Sequence, residues 1–400
     1  MPHRVVVSGL GVISPIGEGH ERFWQSLLSG RSGVSAVASF DTSQFATHLA
    51  SEIKDFEPSR HVRRVDPSDM GRTGQLAVAA ARLAATDAGL DPAAVARGRC
   101  GVAVGTTMGE QRVLEDLLAE GGREAEFPKF AHHRLATHVM AELGIEAGPC
   151  LVFETACASG NYALGYAYDQ IVLGKADVMV AGGAEAFSRI AFTGFSRLGA
   201  IAPEMCQPFD AHRKGAIFGE GAGLLVLEAE GHARARGAAV LAELAGYGVS
   251  CDAFHLTAPH PSGAGALAVM EKALGHAGIA AHDLSHVNAH GTGTVANDRS
   301  EALAIARLLG DRARRVPVTS VKSSIGHTMG AASAIEAVAS VLSLRAGVVP
   351  PTLHHYETDP ACGIDVVGRE PREAPLDVVL NNSFGFGGNN CSTVFRRWTH

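Results

Sequence analysis

The chain has 400 residues, of which 46% are apolar and 19% charged, and a formal net charge of -7. That balance fits a well-packed globular protein of one large or two ordinary domains. Acidic and basic residues are interspersed, and no Lys/Arg block marks a nucleic-acid or anionic-membrane surface.

Seven cysteines, at 100, 150, 157, 206, 251, 362 and 391, are odd in number and scattered, with neither a CxxC pair nor zinc-ligand spacing. They predict a reduced compartment and no metal site. No uninterrupted apolar stretch reaches spanning length, so the expected protein is soluble and cytoplasmic.

In chain order, a short apolar run at 4–8 reads as a first buried strand, broken by Gly9 and Gly11. An Ala-rich helix follows at 73–88, apolar nearly all round, as suits a helix between layers. A strand at 100–106, a helix at 135–143 and a strand at 150–155 continue the alternation of an α/β protein. The last strand runs into Glu154-Thr155-Ala156-Cys157-Ala158-Ser159-Gly160 and a helix at 161–173. A turn from strand to helix projects its side chain out of the sheet, and a helix N-terminus favours a thiolate. Cys157 is therefore a candidate nucleophile, with a buried structural cysteine as the other reading.

Charge-poor runs at 177–181 and 222–227 predict central strands. Residues 206–218 and 252–265 read as loops, the second as a lid or a plain surface connection. Residues 287–294 read as a short strand ending at His290 in a Gly/Thr turn, where α/β proteins place their chemistry. The run at 316–321 leads into Lys322-Ser323-Ser324-Ile325-Gly326-His327 and a helix at 328–344. This echo of the Cys157 region predicts two halves of similar construction, residues 1–247 and 248–400, with Cys157 and His327 at comparable helix N-termini facing one cleft. Finally, a strand at 376–380 precedes Asn381-Asn382-Ser383-Phe384-Gly385-Phe386-Gly387-Gly388, either a mobile loop offering oxyanion donors or a hairpin with a buried Phe.

Taken together, Thr155-Ala156-Cys157-Ala158-Ser159, His290-Gly291-Thr292-Gly293-Thr294, Lys322 with Gly326-His327, and Gly385-Phe386-Gly387-Gly388 resemble the β-ketoacyl-acyl carrier protein synthases, in particular the type II elongating ketosynthases and their polyketide relatives. The resemblance covers essentially the whole chain. It implies the thiolase fold, a five-layer α-β-α-β-α sandwich of two pseudo-duplicated α/β halves, usually dimeric. It implies acylation of Cys157, an oxyanion hole from the N–H groups of Cys157 and Phe386 with Phe386 as a gate, and His290 and His327 as donors to an enolate. Lys322 would pair with Glu336 in an orienting role, Thr292 and Thr294 would hold a phosphopantetheine arm, and Met108 and Phe195 would line the acyl pocket across the dimer, with ordinary core packing as their other reading. No bound cofactor is implied, since substrates arrive on an acyl carrier protein. The quaternary expectation is a homodimer, or a heterodimer with a chain-length-factor subunit.

Two departures from the family pattern stand out. Arg213-Lys214-Gly215 occupies a place where many relatives have Arg-Asp-Gly, and Arg60, Arg63 and Arg64, a candidate carrier-docking patch, are followed by Asp66 and Asp69. Both point toward a specialised polyketide or polyene pathway rather than bulk fatty-acid synthesis. The His290 and His327 pair argues against a thiolase, and retention of Cys157 argues against a non-catalytic partner subunit.

Overall fold

The computed structural model describes residues 4–119 and 124–399. A 12-stranded sheet runs through it, and its order divides it into two matching halves. Leaving aside short strands and helices, the first half runs β1 (Val5–Ser14), α1 (Arg72–Asp87), β2 (Cys100–Gly105), α2 (Arg134–Leu143), β3 (Cys150–Phe153), α3 (Ser159–Val172), β4 (Val178–Glu185) and β5 (Gly221–Ala229). The second half repeats that order as β6 (Ala242–Cys251), α4 (Ala264–Ala277), β7 (His286–Asn288), α5 (Val295–Leu309), β8 (Pro317–Thr319), α6 (Ala332–Ala346), β9 (Val378–Phe384) and β10 (Asn389–Arg396).

Strand order corresponds as well, β3-β2-β4-β5-β1 in one half and β8-β7-β9-β10-β6 in the other. In each half the first three strands are parallel and the last two antiparallel to their neighbours. The halves join where Val5, Val6 and Val7 of β1 lie opposite Leu244, Glu243 and Ala242 of β6. The expected division at 247/248 falls inside β6, which is continuous from Ala242 to Cys251.

Three apolar cores separate the layers. One joins α1 and α2 to the outer face of the first half's strands, and another joins α4 and α5 to the second half's. Between the halves, α3 and α6 pack on each other and on strands of both, forming the third. These are the five layers of the thiolase fold. Helix α6 is buried along its whole face, from Ala332 through Leu344, which explains its lack of an amphipathic pattern. Residues Met329–Ala346 are also the one helical stretch, among those described, that is long and apolar enough to cross a membrane, yet 89% of it is buried inside the fold.

Two sequence expectations need correction. Gly9 and Gly11 do not break the first strand, which continues to Ser14. A Cβ at Gly11 would stand 1.9 Å from the Ala80 carbonyl oxygen, so glycine there lets α1 lie directly on the strand. Likewise Asn381, Asn382 and Ser383 belong to β9 rather than to a loop, and only Gly385 to Gly388 form the turn into β10.

Candidate active site

The elbow before α3 is built under strain. Ala156 has a φ of 52°, in the left-handed region, and the short 3-10 turn Ala156–Ala158 aims Cys157 into a cleft between the halves. The Ser159 hydroxyl pins this turn, sharing its one proton between the carbonyls of Ala156 (2.6 Å) and Thr106 (2.9 Å) while accepting the Thr155 N–H (2.9 Å). From the other half, Ser383 Oγ donates to the Cys157 carbonyl at 2.8 Å.

The matching position after β8 carries His327, and its Nε2 lies 3.2 Å from Cys157 Sγ. Its Nδ1 accepts the Met329 N–H at 3.2 Å. A neutral imidazole that accepts at Nδ1 carries its proton on Nε2, so the ring presents a donor to the cleft. Met329, with a φ of 45°, bears the strain of that turn, and Phe218 stacks on the His327 ring at 5.7 Å between centroids.

His290 completes the trio, its ring 5.4 Å from that of His327. The turn that carries it is held by Glu301 of α5, which accepts the N–H groups of His290 and Gly291 at 2.8 Å each. Burial pushes the Glu301 carboxyl up to about 7 against those N–H groups.

Electrostatics assign the protonation states. Burial first, and the nearby Lys322 charge second, hold both His290 and His327 well below the ordinary imidazole value, so both are neutral at physiological pH. Burial pushes the Cys157 thiol up to about 11, against the pull of Lys322 and of the Phe386 and Cys157 N–H groups. The resting sulfur is thus a thiol. A thiolate formed here would face the helix N-terminus and these donors. Cys157 Sγ and a nitrogen of each histidine lie within 4.8 Å of one another, a soft-metal donor set. However, the Met329 contact uses the Nδ1 lone pair of His327 and turns a hydrogen, not a lone pair, toward the centre. The trio does not fit a metal.

Lys322 is fully buried and forms an ion pair with Glu336 of α6, whose carboxyl burial pushes up to about 7. Lys322→Met would strand that carboxyl in the central layer and is expected to destabilise the protein by about 3–5 kcal/mol. A lowered urea midpoint at constant slope checks this; an unchanged midpoint would mean that the pair is solvated.

The cleft has a volume of about 390 Å³ and is lined by Cys157, His290, His327, Thr292, Thr294, Phe195 and Phe386, among others. Thr292 and Thr294 share a hydroxyl hydrogen bond of 2.9 Å. Phe386 sits at the tip of the β9–β10 hairpin, 37% exposed, between Gly385 and the positive-φ Gly387 and Gly388. The segment is thus a hairpin, but its Phe386 is partly exposed in the cleft rather than buried. The 252–265 loop contributes Asp252, Thr257, Ala258 and Pro259 to the cleft wall.

Met108 does not line this cleft. It packs against the cluster of Phe187, Phe192 and Met329, and its N–H donates to Glu185. Nor do Arg60, Arg63 and Arg64 line it. The Arg63 guanidinium is folded back onto the carbonyls of Ser59, Arg60 and Val62. Glu185, Glu301, Met329 and Ser383 were not picked out from sequence. Glu185 ends β4 and accepts N–H groups of Thr107, Met108 and Gly330, binding the Met329 turn to the first half. A carboxylate closing an otherwise apolar strand was its one visible signal.

A buried thiol at a strained helix entrance, faced by two neutral imidazoles and two backbone N–H groups, is the equipment of an enzyme that forms a thioester on cysteine and stabilises an oxyanion beside it. Residues 3–233 match Beta-ketoacyl synthase, N-terminal domain, and residues 241–356 match Beta-ketoacyl synthase, C-terminal domain. The chain is 37% identical over 408 residues to 3-oxoacyl-[acyl-carrier-protein] synthase 2 of Staphylococcus aureus (strain COL), covering 99% of this chain and 98% of that one. It is 39% identical over 405 residues to Nodulation protein E of Rhizobium meliloti (strain 1021), covering 99% and 100%. Among solved structures, the ishigamide ketosynthase/chain length factor superposes with a TM-score of 0.96 at 43% identity, covering 100% of both chains. A type II PKS acyl-carrier protein in complex with its ketosynthase bound to the hexaketide gives 0.92 at 32%, again covering 100% of both. The chain belongs to the β-ketoacyl synthase family.

Proposed function

We propose that the protein catalyses decarboxylative Claisen condensation of an acyl group on Cys157 with a malonyl-acyl carrier protein. The product is a 3-oxoacyl-acyl carrier protein extended by two carbons, and carbon dioxide is released. The observation that carries this reading is the Cys157 thiol with two neutral imidazoles beside it, one at 3.2 Å.

In the first half-reaction Cys157 Sγ bonds to the acyl carbonyl, the carbon–sulfur bond to the carrier's arm breaks, and the thiol proton passes to the departing arm sulfur. In the second, the malonyl carbon–carbon bond breaks and its electron pair enters an enolate, whose oxygen His290 and His327 hold with N–H groups. The enolate carbon attacks the acyl thioester. The resulting oxyanion is held by the N–H groups of Cys157 and Phe386, and collapse expels the Cys157 thiolate, which takes up a proton. Lys322, ion-paired with Glu336, adds to the burial that holds the imidazoles neutral, and it favours the leaving thiolate. Thr292 and Thr294 grip the arm, Phe386 gates the cleft, and Phe195, with Met108 behind it, bounds the acyl chain. No cofactor beyond the carrier's phosphopantetheine enters these steps.

The carrier protein is the substrate-bearing partner. The pathway is read as type II polyketide or polyene synthesis, with fatty-acid elongation as the alternative, because the likeness to the ishigamide ketosynthase/chain length factor reaches 43% identity. The same relative supports a dimer with a chain-length-factor subunit. Strand β3 ends the sheet with Leu151 exposed, which leaves an edge for a partner or a second copy. We read the two halves as meeting at 236–241, ahead of β6, and the protein as cytoplasmic.

The test is condensation with malonyl-carrier labelled in its free carboxyl. One labelled carbon dioxide per product and a product heavier by two carbons and one oxygen are expected, relative to the acyl donor with its protons balanced. Label retained in the product would sink the reading.

A further inference from the structure

Apart from the histidines, only two of the described residues lining the cleft bear formal charge, Lys214 and Asp252. Asp252 is committed, since its carboxylate accepts Asn390 Nδ2 and the His260 N–H, both at 2.8 Å. Lys214 is exposed and makes no ion pair among the described residues.

Its backbone, by contrast, is held on both sides. Arg213 is buried, with its guanidinium 2.8 Å from Asp359 and 2.8 Å from the Asp210 carbonyl. The Gly215 N–H donates to the Gly293 carbonyl at 3.1 Å, which fixes the segment against the Thr292–Gly293–Thr294 turn. Gly215 has a φ of 142°, and a Cβ there would meet the Ala200 oxygen at 2.5 Å, so that contact requires glycine. A rigid frame therefore presents one unpaired ammonium beside the two threonines. Along the cleft, exposure rises from Cys157 and Thr292, both buried, through Thr294 to Lys214.

A phosphopantetheine arm has its groups in the same sequence, with the thioester innermost, two amides next and a phosphodiester at the outer end. We propose that Lys214 binds the phosphodiester of the carrier's arm at the cleft mouth, an inference that rests on the condensation reading above. A Lys ammonium suits this role as a point charge for a phosphate that enters and leaves in each turnover.

The experiment compares wild type, Lys214→Ala, Lys214→Arg and Lys214→Asp with three malonyl donors, after identical loading of Cys157. One donor is the malonyl-carrier protein, one malonyl-phosphopantetheine without the protein, and one malonyl-pantetheine without the phosphate. Lys214→Ala should raise KM for the two phosphate-bearing donors about fivefold with kcat unchanged, as for a solvent-accessible ion pair of about 1 kcal/mol. Lys214→Asp should raise it further, Lys214→Arg should retain most of the affinity, and malonyl-pantetheine should not distinguish the variants. An equal effect on all three donors would place the role in the cleft's shape and overturn the proposal. An effect confined to the whole carrier would assign Lys214 to the carrier's surface carboxylates, and no effect at all would leave the ammonium without a role; either overturns it. Failure of the wild type to condense any donor would refute the condensation reading, and this proposal with it.

Discussion

Cys157→Ala is expected to lose condensation by at least about 10⁴-fold, because the acyl group then has no covalent holder and the cleft lining contains no second thiol. Among the described residues no other cysteine lines the cleft: Cys100, Cys206, Cys362 and Cys391 are buried, Cys150 is partly buried on β3, and the exposed Cys251 turns its Sγ to the Gly387 carbonyl at 3.7 Å. Intact-protein mass spectrometry after incubation with an acyl-carrier donor should show one acyl increment on the wild type, mapped to the Cys157 peptide, and none on the variant. Malonyl decarboxylation should survive, since both imidazoles are untouched. An acyl increment on the variant would locate the nucleophile elsewhere.

His290→Ala and His327→Ala are each expected to slow malonyl decarboxylation by about 10²–10³-fold, the range for removing one donor from an oxyanion site. Acylation should fall much less in His290→Ala. In His327→Ala it should suffer more, because that ring donates to Cys157 Sγ at 3.2 Å. Comparable loss of both half-reactions in both variants would contradict this division of labour. The pH profile gives an independent check. Both imidazoles are held well below the ordinary value, so they remain neutral donors as pH falls through the usual histidine range. Neither ring should therefore titrate between about pH 6 and 8, and any loss of decarboxylation in that range should trace to Glu301 and Glu336, which burial raises to about 7. An imidazole NMR signal of His290 or His327 that titrates near 6.5 would mean that burial and Lys322 do not govern these rings.

The alternation of strands and helices was legible because each strand–helix unit carries its own pattern, as at 100–106 and 135–143. The elbow around Cys157 was legible for the same reason, since small residues between a strand and a helix leave few conformations open. What could not be read locally were polar residues whose partners lie far away along the chain. Asn381, Asn382 and Ser383 look like loop residues, but β9 buries them against Asn161, Ser392 and the Cys157 carbonyl. Glu301 and Glu185 look like surface carboxylates, yet each holds backbone N–H groups at the site. A polar group stays inside a fold only when it is paired, and the pairing is a property of the assembled layers.

The same limit applies to the departures. Arg213 and Lys214 are adjacent and alike in charge, but the fold buries one between Asp298 and Asp359 and leaves the other free in the cleft. By itself the sequence determined the family, the two-half construction and the identity of the thiol and the two imidazoles, because order and spacing along the chain suffice for these. Only the tertiary structure decided which nitrogen of His327 carries the proton, that the resting Cys157 is a thiol, and which cation stands unpaired at the mouth. Those depend on burial and on neighbours brought together from both halves, and a linear pattern does not encode that desolvation.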